Sequence, residues 1–500
     1  MSSTSLFSSP VPPDFLRDES RKTGAADAIA FPGDAAALAS ALRQAAAHGA
    51  PVTVQGARTG ISAGAVPEGG VVVSLCRMDA ILGFRTAPGG RAFLRVQPGL
   101  PLVALRRHLA AGGLPYLFTP DPTETSASLG GMAACNASGA CSFAYGPTRN
   151  HIEALTVVLA DGDTLSLRRG QAFAEGLRFS LATDGGRVIA GELPRLVLPA
   201  VKNAAGYWIR PDMDLLDLFI GSEGTLGVIA ELELRLTPKP DALFGLLCYF
   251  SDEAQALACV EALRTAAPAA QPHTLTAIEY FDAGALRLIR GSTARTGLLL
   301  PPPRPHWHTA LYLEWALTAG TPPPADLVSR LLATCGGSAE DTWVAADAPA
   351  LEKLKAFRHA VPEQVNALIA ERKRSHPALT KLGTDLSVPD ERLADIMRLY
   401  RDDLAAAGLE HVIFGHIGNN HIHVNILPRD MDDYAAGKRL YQAWARQAVA
   451  WGGSVSAEHG IGRLKKDLLA VMYGPDGIDG MRRLKACFDP AGRLNPGRLF

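Results

Sequence analysis

The sequence predicts an α+β protein built of two packed parts, and three observations predict it. Up to about residue 240, short β-type runs alternate with helical ones in a background rich in Gly and Ala. Pro238-Lys-Pro240 then breaks the chain, and beyond it strands and helices follow one another less regularly. From about residue 456 the Gly-rich loop character returns, which sends the last segment back to the first part. The expected divisions are a lead (1–30), a first domain (31–240), a second α+β domain (241–455) and the returning segment (456–500).

Met1 to Leu16 is rich in Ser and Pro, with no basic n-region or apolar h-region. It reads as a short disordered lead and not as a signal peptide. Asp34 to His48 carries apolar residues at helical spacing, with Asp34 as N-cap and Gly49 as the stop. Pro51-Val-Thr-Val54 reads as a strand that feeds Gly56-Ala-Arg-Thr-Gly60, and Leu102 to Ala111 reads as a helix. Leu155–Leu159 and Thr164–Leu167 form a hairpin pattern around Asp161-Gly162. Ala230 to Leu236 alternates, with Leu232, Leu234 and Leu236 on one face of a strand. Beyond the break, Glu253–Ala266 and Leu327–Cys335 read as helices, and His308–Glu314 and Thr384–Val388 as strands. Asp347–Arg374 and Arg392–Ala407 are longer helical segments, the first interrupted by prolines. Pro301–Pro305 and Thr321-Pro-Pro-Pro324 are loops.

Composition narrows the function classes. With 47% hydrophobic and 20% charged residues the chain has soluble globular character. A net charge of −1 gives no electrostatic reason for a nucleic acid or an anionic membrane as partner. No run reaches the ~18 apolar residues that a membrane span needs. The seven cysteines are dispersed without a Cys-x-x-Cys pair, which argues against an iron–sulfur cluster or zinc ribbon. Such a set fits a reducing, cytoplasmic setting, with peripheral docking to a membrane left open.

Three segments carry glycine where a ligand would explain it: Gly56-Ala-Arg-Thr-Gly60, Leu129-Gly-Gly-Met-Ala-Ala-Cys-Asn-Ala-Ser-Gly139 and Gly221-Ser-Glu-Gly-Thr-Leu-Gly227. Small residues let backbone N–H groups converge on an anion, or let backbone press against a flat ring. Neither a Rossmann fingerprint nor a P-loop is present. Any one of the three could be an ordinary turn; together they favour a large nucleotide-like ligand.

Further on, His421-Ile-His-Val-Asn-Ile426 as a strand puts His421, His423 and Asn425 on one face and the apolar residues on the other. His416 precedes it, and Ser456-Ala-Glu-His-Gly460 supplies Glu458 and His459. A solvated strand face would explain two histidines. Adding a carboxylate makes His416, His423 and Glu458 a plausible divalent-metal set with positions left open. His306 and His308 share the same spacing but sit in a proline-rich strand entry, and read as structural.

In this order, the glycine loops together with Asp121-Pro122 and Tyr145-Gly146 resemble the vanillyl-alcohol-oxidase-type (PCMH-type) FAD domain. The resemblance runs from Asp18-Glu-Ser20 to Leu494-Asn-Pro-Gly497, in the branch of D-lactate, glycolate and D-2-hydroxyglutarate dehydrogenases. It implies that an FAD-binding domain carries an α+β substrate (cap) domain. It also implies cofactor contacts for Gly56, Ala57, Arg58, Thr59, Gly60, Gly130, Gly131, Asn136, Gly139, Gly221, Thr225, Gly227 and Asn495. His416, His423 and Glu458 would hold a divalent metal, zinc being the first expectation, with His459 as base and Arg358 and Asn425 on the substrate.

This chain departs from the family in four places. Ala57 and Arg58 stand where glycines are usual, and either would be strained at positive φ; Arg58 offers instead a charge-assisted phosphate contact. The loop lacks the histidine that attaches flavin in some relatives, so FAD is expected non-covalent. Asn419-Asn-His421 replaces the usual Asp-Gly-Asn, which leaves the metal's identity open. Lys381 lies two positions before the usual substrate lysine.

The resemblance implies oxidation of a D-2-hydroxy acid to the 2-oxo acid, with hydride passing to flavin N5. Electrons would leave to an acceptor of quinone, cytochrome or electron-transfer-flavoprotein type, and a homodimer is compatible. The alternatives are an alkyl-glycerone-phosphate-synthase-like flavoenzyme and a non-catalytic flavin subunit.

Overall fold

A computed structural model describes residues 6–296 and 301–500. Near the start, a parallel three-stranded sheet places Val71–Ser74 between Ala28–Ala30 and Val52–Gln55. The helix Ala35–Ala47 packs on it, and Asp34 caps that helix by accepting a hydrogen bond from the Ala37 N–H at 2.8 Å. The apolar residues Leu38, Leu42 and Ala45, at helical spacing, share a buried cluster with Val52, Val73 and Met78.

An antiparallel sheet follows, in the order Ile81–Ala87, Arg91–Val96, Val228–Pro238, Ile152–Val158, Thr164–Arg168. Val228–Pro238 is its central strand, and the alternation read from the sequence buries Leu232, Leu234 and Leu236.

The second half forms a seven-stranded antiparallel sheet, in the order Thr342–Ala345, Ala242–Phe250, Thr309–Leu317, Thr274–Phe281, His411–His416, His421–Ile426, Leu382–Gly383. Its strands are joined mainly through helices, among them Glu253–Ala266, Ala325–Thr334 and Ala348–Arg372. One buried cluster runs through both halves, taking in Leu94, Leu232, Leu313, Val424 and Leu484. The chain then returns to its beginning: the Val52 N–H donates to the Arg493 carbonyl and the Asn495 N–H to the Val52 carbonyl, both at 2.8 Å.

Several expectations need correction. The lead is ordered from Leu6 onward, because Val11, Phe15 and Leu16 pack with Ile29, Val72 and Phe31; Met1–Ser5 lie outside the described residues. Thr384–Val388 is not a regular strand: pairing is confined to Leu382–Gly383, plus isolated bridges at Ser387. The polar groups of Thr384 and Asp385 bond to neighbouring elements instead of completing a ladder. Pro362 sits inside Ala348–Arg372 without ending it. The second glycine segment begins as a helix, Leu129–Cys135, where an open loop was expected.

Candidate functional site

Strand Val52–Gln55 delivers the first glycine loop. A Cβ on Gly56 would stand 2.2 Å from Ser128 Oγ, so only glycine lets the loop lie against the start of helix Leu129–Cys135. Arg58 does take a left-handed conformation, with φ 62. Its guanidinium lies 4.2 Å from the Phe15 ring centroid, a stacking that supports this unusual backbone and uses the side chain locally. Ala57 donates its N–H to Ser128 Oγ at 3.2 Å. Among the described residues no acceptor meets the N–H groups of Arg58, Thr59 and Gly60. Consecutive free N–H groups around a left-handed residue are the nest that anions occupy, so the loop fits a pyrophosphate.

Several other residues expected at the cofactor also shape the loops. A Cβ on Gly130 would meet Pro98 Cβ at 2.4 Å, and one on Gly139 the Asp121 carbonyl oxygen at 1.8 Å. Asn136, at φ 49, accepts from the Arg149 N–H at 3.0 Å. The third loop joins the second where Gly221 and Glu223 donate to the carbonyls of Ala133 and Ala134. Thr225 Oγ1 is bonded to the Tyr207 hydroxyl at 2.7 Å, and a Cβ on Gly227 would meet Val157 Cγ1 at 2.4 Å. Asn495 ties the first loop's strand to the third loop. Its Oδ1 accepts from the Val54 N–H at 2.8 Å, and its Nδ2 donates to the Glu223 carbonyl at 2.7 Å. Gly131 stays clear of backbone contacts and faces Gly56.

Beside these loops stands the histidine cluster. His416 ends one strand, while His421 and His423 share a face of the next. Glu458 arrives on a bend organised by Asp385. That carboxylate accepts from the N–H groups of Glu458 (3.2 Å) and His459 (3.1 Å), from Ser456 Oγ (2.6 Å) and from Lys465 Nζ (2.6 Å). Gly460 and Gly462 complete the bend at φ 68 and 53.

The two oxygens of Glu458 are used differently. Oε2 is bonded to Lys202 Nζ at 2.9 Å and Ser138 Oγ at 3.0 Å. Oε1 faces His416 Nε2 at 3.2 Å, His423 Nε2 at 3.6 Å, His459 Nε2 at 3.7 Å and His421 Nδ1 at 3.9 Å. The far nitrogens are engaged in turn: His416 Nδ1 with Glu279 Oε1 at 2.6 Å, His423 Nδ1 with the Thr384 carbonyl at 3.1 Å. His459 Nδ1 lies 3.3 Å from Asp385 Oδ1. An imidazole whose outer nitrogen is held by an acceptor presents its inner lone pair in a fixed direction, the arrangement that metal-ligating histidines adopt. The donor set fits a divalent ion.

Electrostatics separate the imidazoles. Burial would lower His416, but the carboxylates of Glu279 and Glu458 outweigh it and push it up to about 9. For His459 burial prevails over Asp385 and Glu458, and its pKa falls to about 4. His421 is driven well below the usual histidine range, by burial and by His423. Burial would raise Glu458, yet Lys202, His416 and His421 hold it well below the carboxylate range. Of these groups His459 is the one that keeps substantial contact with solvent, with 30% of its side chain exposed.

Arg358, expected on the substrate, is held inside the protein. Its side chain is 10% exposed and pairs with Asp121 at 3.4 Å, and the nearby charge of Glu279 links it electrostatically to the His416 branch. Asn425 lies on the ligand face of its strand opposite Gly383. His306 is bonded to Asp341 and His308 to Thr309, away from the cluster. Sequence reasoning missed Lys202, Glu279 and Asp385. The signal for Glu279 was a lone acid inside the apolar run Ala277–Phe281, where burial demands a partner. Asp385, between Leu382 and Leu386, carried the same signal.

Comparison with known proteins adds an independent view. The profile described as FAD linked oxidases, C-terminal domain, matches residues 242–499, and an FAD binding domain profile matches residues 26–168. The chain is 30% identical to a D-lactate dehydrogenase of Anaerostipes hadrus, covering 90% of this chain and 84% of that protein. It is 30% identical to a D-2-hydroxyglutarate dehydrogenase of Stutzerimonas stutzeri (95% and 91%) and 28% identical to glycolate oxidase subunit GlcD of Bacillus subtilis (95% and 89%). A solved alkyldihydroxyacetonephosphate synthase shares the fold, with a TM-score of 0.64 and 17% identity over 95% of this chain and 77% of that one.

Proposed function

The chain belongs to the FAD-linked oxidase family, and from that premise we propose that it oxidises a D-2-hydroxy acid of the lactate, glycolate or 2-hydroxyglutarate class to the 2-oxo acid, with a divalent metal ion beside the flavin. The observation that carries this reading is the convergence of His416, His423 and His459 on Glu458 Oε1, in a chain whose first glycine loop keeps free N–H groups for an anion. FAD, when bound, accepts the two electrons released as the alcohol becomes a carbonyl. His416, His423 and Glu458 would hold a divalent ion, which would supply a lowered pKa for the substrate hydroxyl.

His459 then takes the hydroxyl proton. Its Nδ1 is directed to Asp385, so Nε2 is the basic nitrogen on the ligand side of the site, and burial keeps the ring neutral near pH 7. Lys202 and Ser138 hold Glu458 Oε2, which leaves Oε1 to the ion. Arg358 is the group to anchor the substrate carboxylate, and Asn425 orients it from the ligand face. The first loop holds the pyrophosphate of a non-covalent FAD, and turnover is completed by an external acceptor of quinone, cytochrome or electron-transfer-flavoprotein class.

Anaerobic flavin bleaching against paired D- and L-2-hydroxy acids tests this reading. D-acids should bleach the flavin, a chelator should slow the bleaching, and added Mn²⁺ or Zn²⁺ should restore it. Bleaching by no hydroxy acid, together with tight binding of an acyl-lipid phosphate, would transfer the chain to the synthase branch whose fold it shares.

A further inference from the structure

His421 stands where the resembled motif carries asparagine, and the structure leaves its Nδ1 without a hydrogen-bond partner among the described residues. The side chain is 0% exposed. A buried imidazole nitrogen left without a partner is costly unless something else uses its lone pair. Nε2 lies 3.0 Å from Asp385 Oδ1, the carboxylate that holds this side of the ring. Nδ1 is turned the other way, towards Glu458 Oε1.

Distances decide what that nitrogen can reach. The ligand atoms of His416, His421, His423 and Glu458 all lie within 4.8 Å of one another. Around an ion with bonds of about 2.1 Å, neighbouring ligands sit about 3.0 Å apart and opposite ones about 4.2 Å. The separations of 3.2, 3.6 and 3.9 Å from Glu458 Oε1 to His416, His423 and His421 all fall inside that span. The three ring centroids are 4.4, 5.4 and 5.5 Å apart, so no one imidazole stands outside the group. Lys202 is bonded to Oε2 and Lys465 to Asp385, so neither is hydrogen-bonded on the Oε1 side of Glu458.

Resting on the metal reading above, we propose that His421 is a fourth ligand, so that the ion is held by three imidazoles and one carboxylate. Asp385 is then to His421 what Glu279 is to His416, the acceptor that fixes the outer nitrogen. Four protein ligands already fill a tetrahedral zinc site. Binding a hydroxy acid through its hydroxyl and one carboxylate oxygen brings the number to six, which suits manganese, iron or cobalt in the divalent state better than zinc.

The test uses the FAD-loaded protein, stripped by chelator and titrated with Co²⁺. The wild type should take up one Co²⁺ per chain, and X-ray absorption at the cobalt edge should count three imidazoles. His421→Asn should keep its FAD and weaken Co²⁺ binding by more than the ~10²-fold that even an outer partner of a ligand is worth. Two imidazoles in the wild type, or unchanged affinity in the variant, overturns the fourth ligand and leaves the His416–His423–Glu458 reading standing. No Co²⁺ uptake by the wild type overturns both. Because the imidazole count is made on the unmutated protein, misfolding of the variant does not spare the proposal.

Discussion

At the scale of single residues, the site assigns different work to chemically identical side chains through their surroundings. His416 and His459 are both imidazoles, yet carboxylates draw one up to about 9 while burial drives the other down to about 4. If His459 is the base, His459→Asn should leave FAD and metal content unchanged while slowing flavin reduction ~10²–10⁴-fold in stopped-flow. Loss of metal along with activity would make it a ligand instead, and near-normal reduction in a folded, metal-replete variant would remove it from the chemistry. The depressed pKa also fixes a sign. Between about 6.5 and about 4 the unfolded chain takes up a proton at this histidine that the folded one refuses, so its contribution to stability falls as pH falls through that window. The same residue stays basic through it, so flavin reduction should hold steady down to about pH 5. A limb near pH 6.5 would show an ordinary, solvated histidine. Much of this was legible in the sequence: the Gly-His, His-x-His and Glu-His pairs stand out locally. Their supports were not, because Glu279 lies 137 residues from His416 and Lys202 256 residues from Glu458. Only strand pairing and chain return bring them in.

At the scale of elements, capping and periodicity were the readable signals. Asp34 caps its helix as its position suggested, and the Leu232–Leu236 alternation buries its expected face. Polar residues that bond across to other elements were harder to read, as the failed strand at Thr384–Val388 shows. The bend at 456–462 offers a direct test of how tightly such a segment is built. A Cβ on Gly462 would stand 2.1 Å from the Ser62 carbonyl at φ 53, whereas Gly113, at φ 62, has open space around it. Gly113→Ala should cost only the left-handed strain, about 1 kcal/mol, and Gly462→Ala clearly more. Thermal melts of the two variants decide this, since equal losses would mean that Ser62 gives way.

At the scale of the whole molecule, the buried cluster that runs through both sheets makes stability a shared property. Added FAD should therefore move a single melting transition, by about 2.7 kcal/mol of stability at a hundredfold excess over its Kd. Two transitions, only one of them shifted, would show the halves melting apart. The sequence suggested two parts and a returning last segment, of which the Val52–Arg493 and Val52–Asn495 hydrogen bonds are the visible trace. The order of strands within each sheet was hidden, because register depends on partners far along the chain. That return sets a timetable for synthesis. Val54 finds its partner Asn495 441 residues later. At ~5–20 residues per second, a ribosome needs roughly 20–90 s to supply that partner once the strand has emerged. Until then the strand that leads to the glycine loop lacks the side chain that ties it to the third loop. A nascent chain cannot finish its nucleotide pocket during most of translation, and flavin capture becomes a quality check on chains that have been read almost to residue 500.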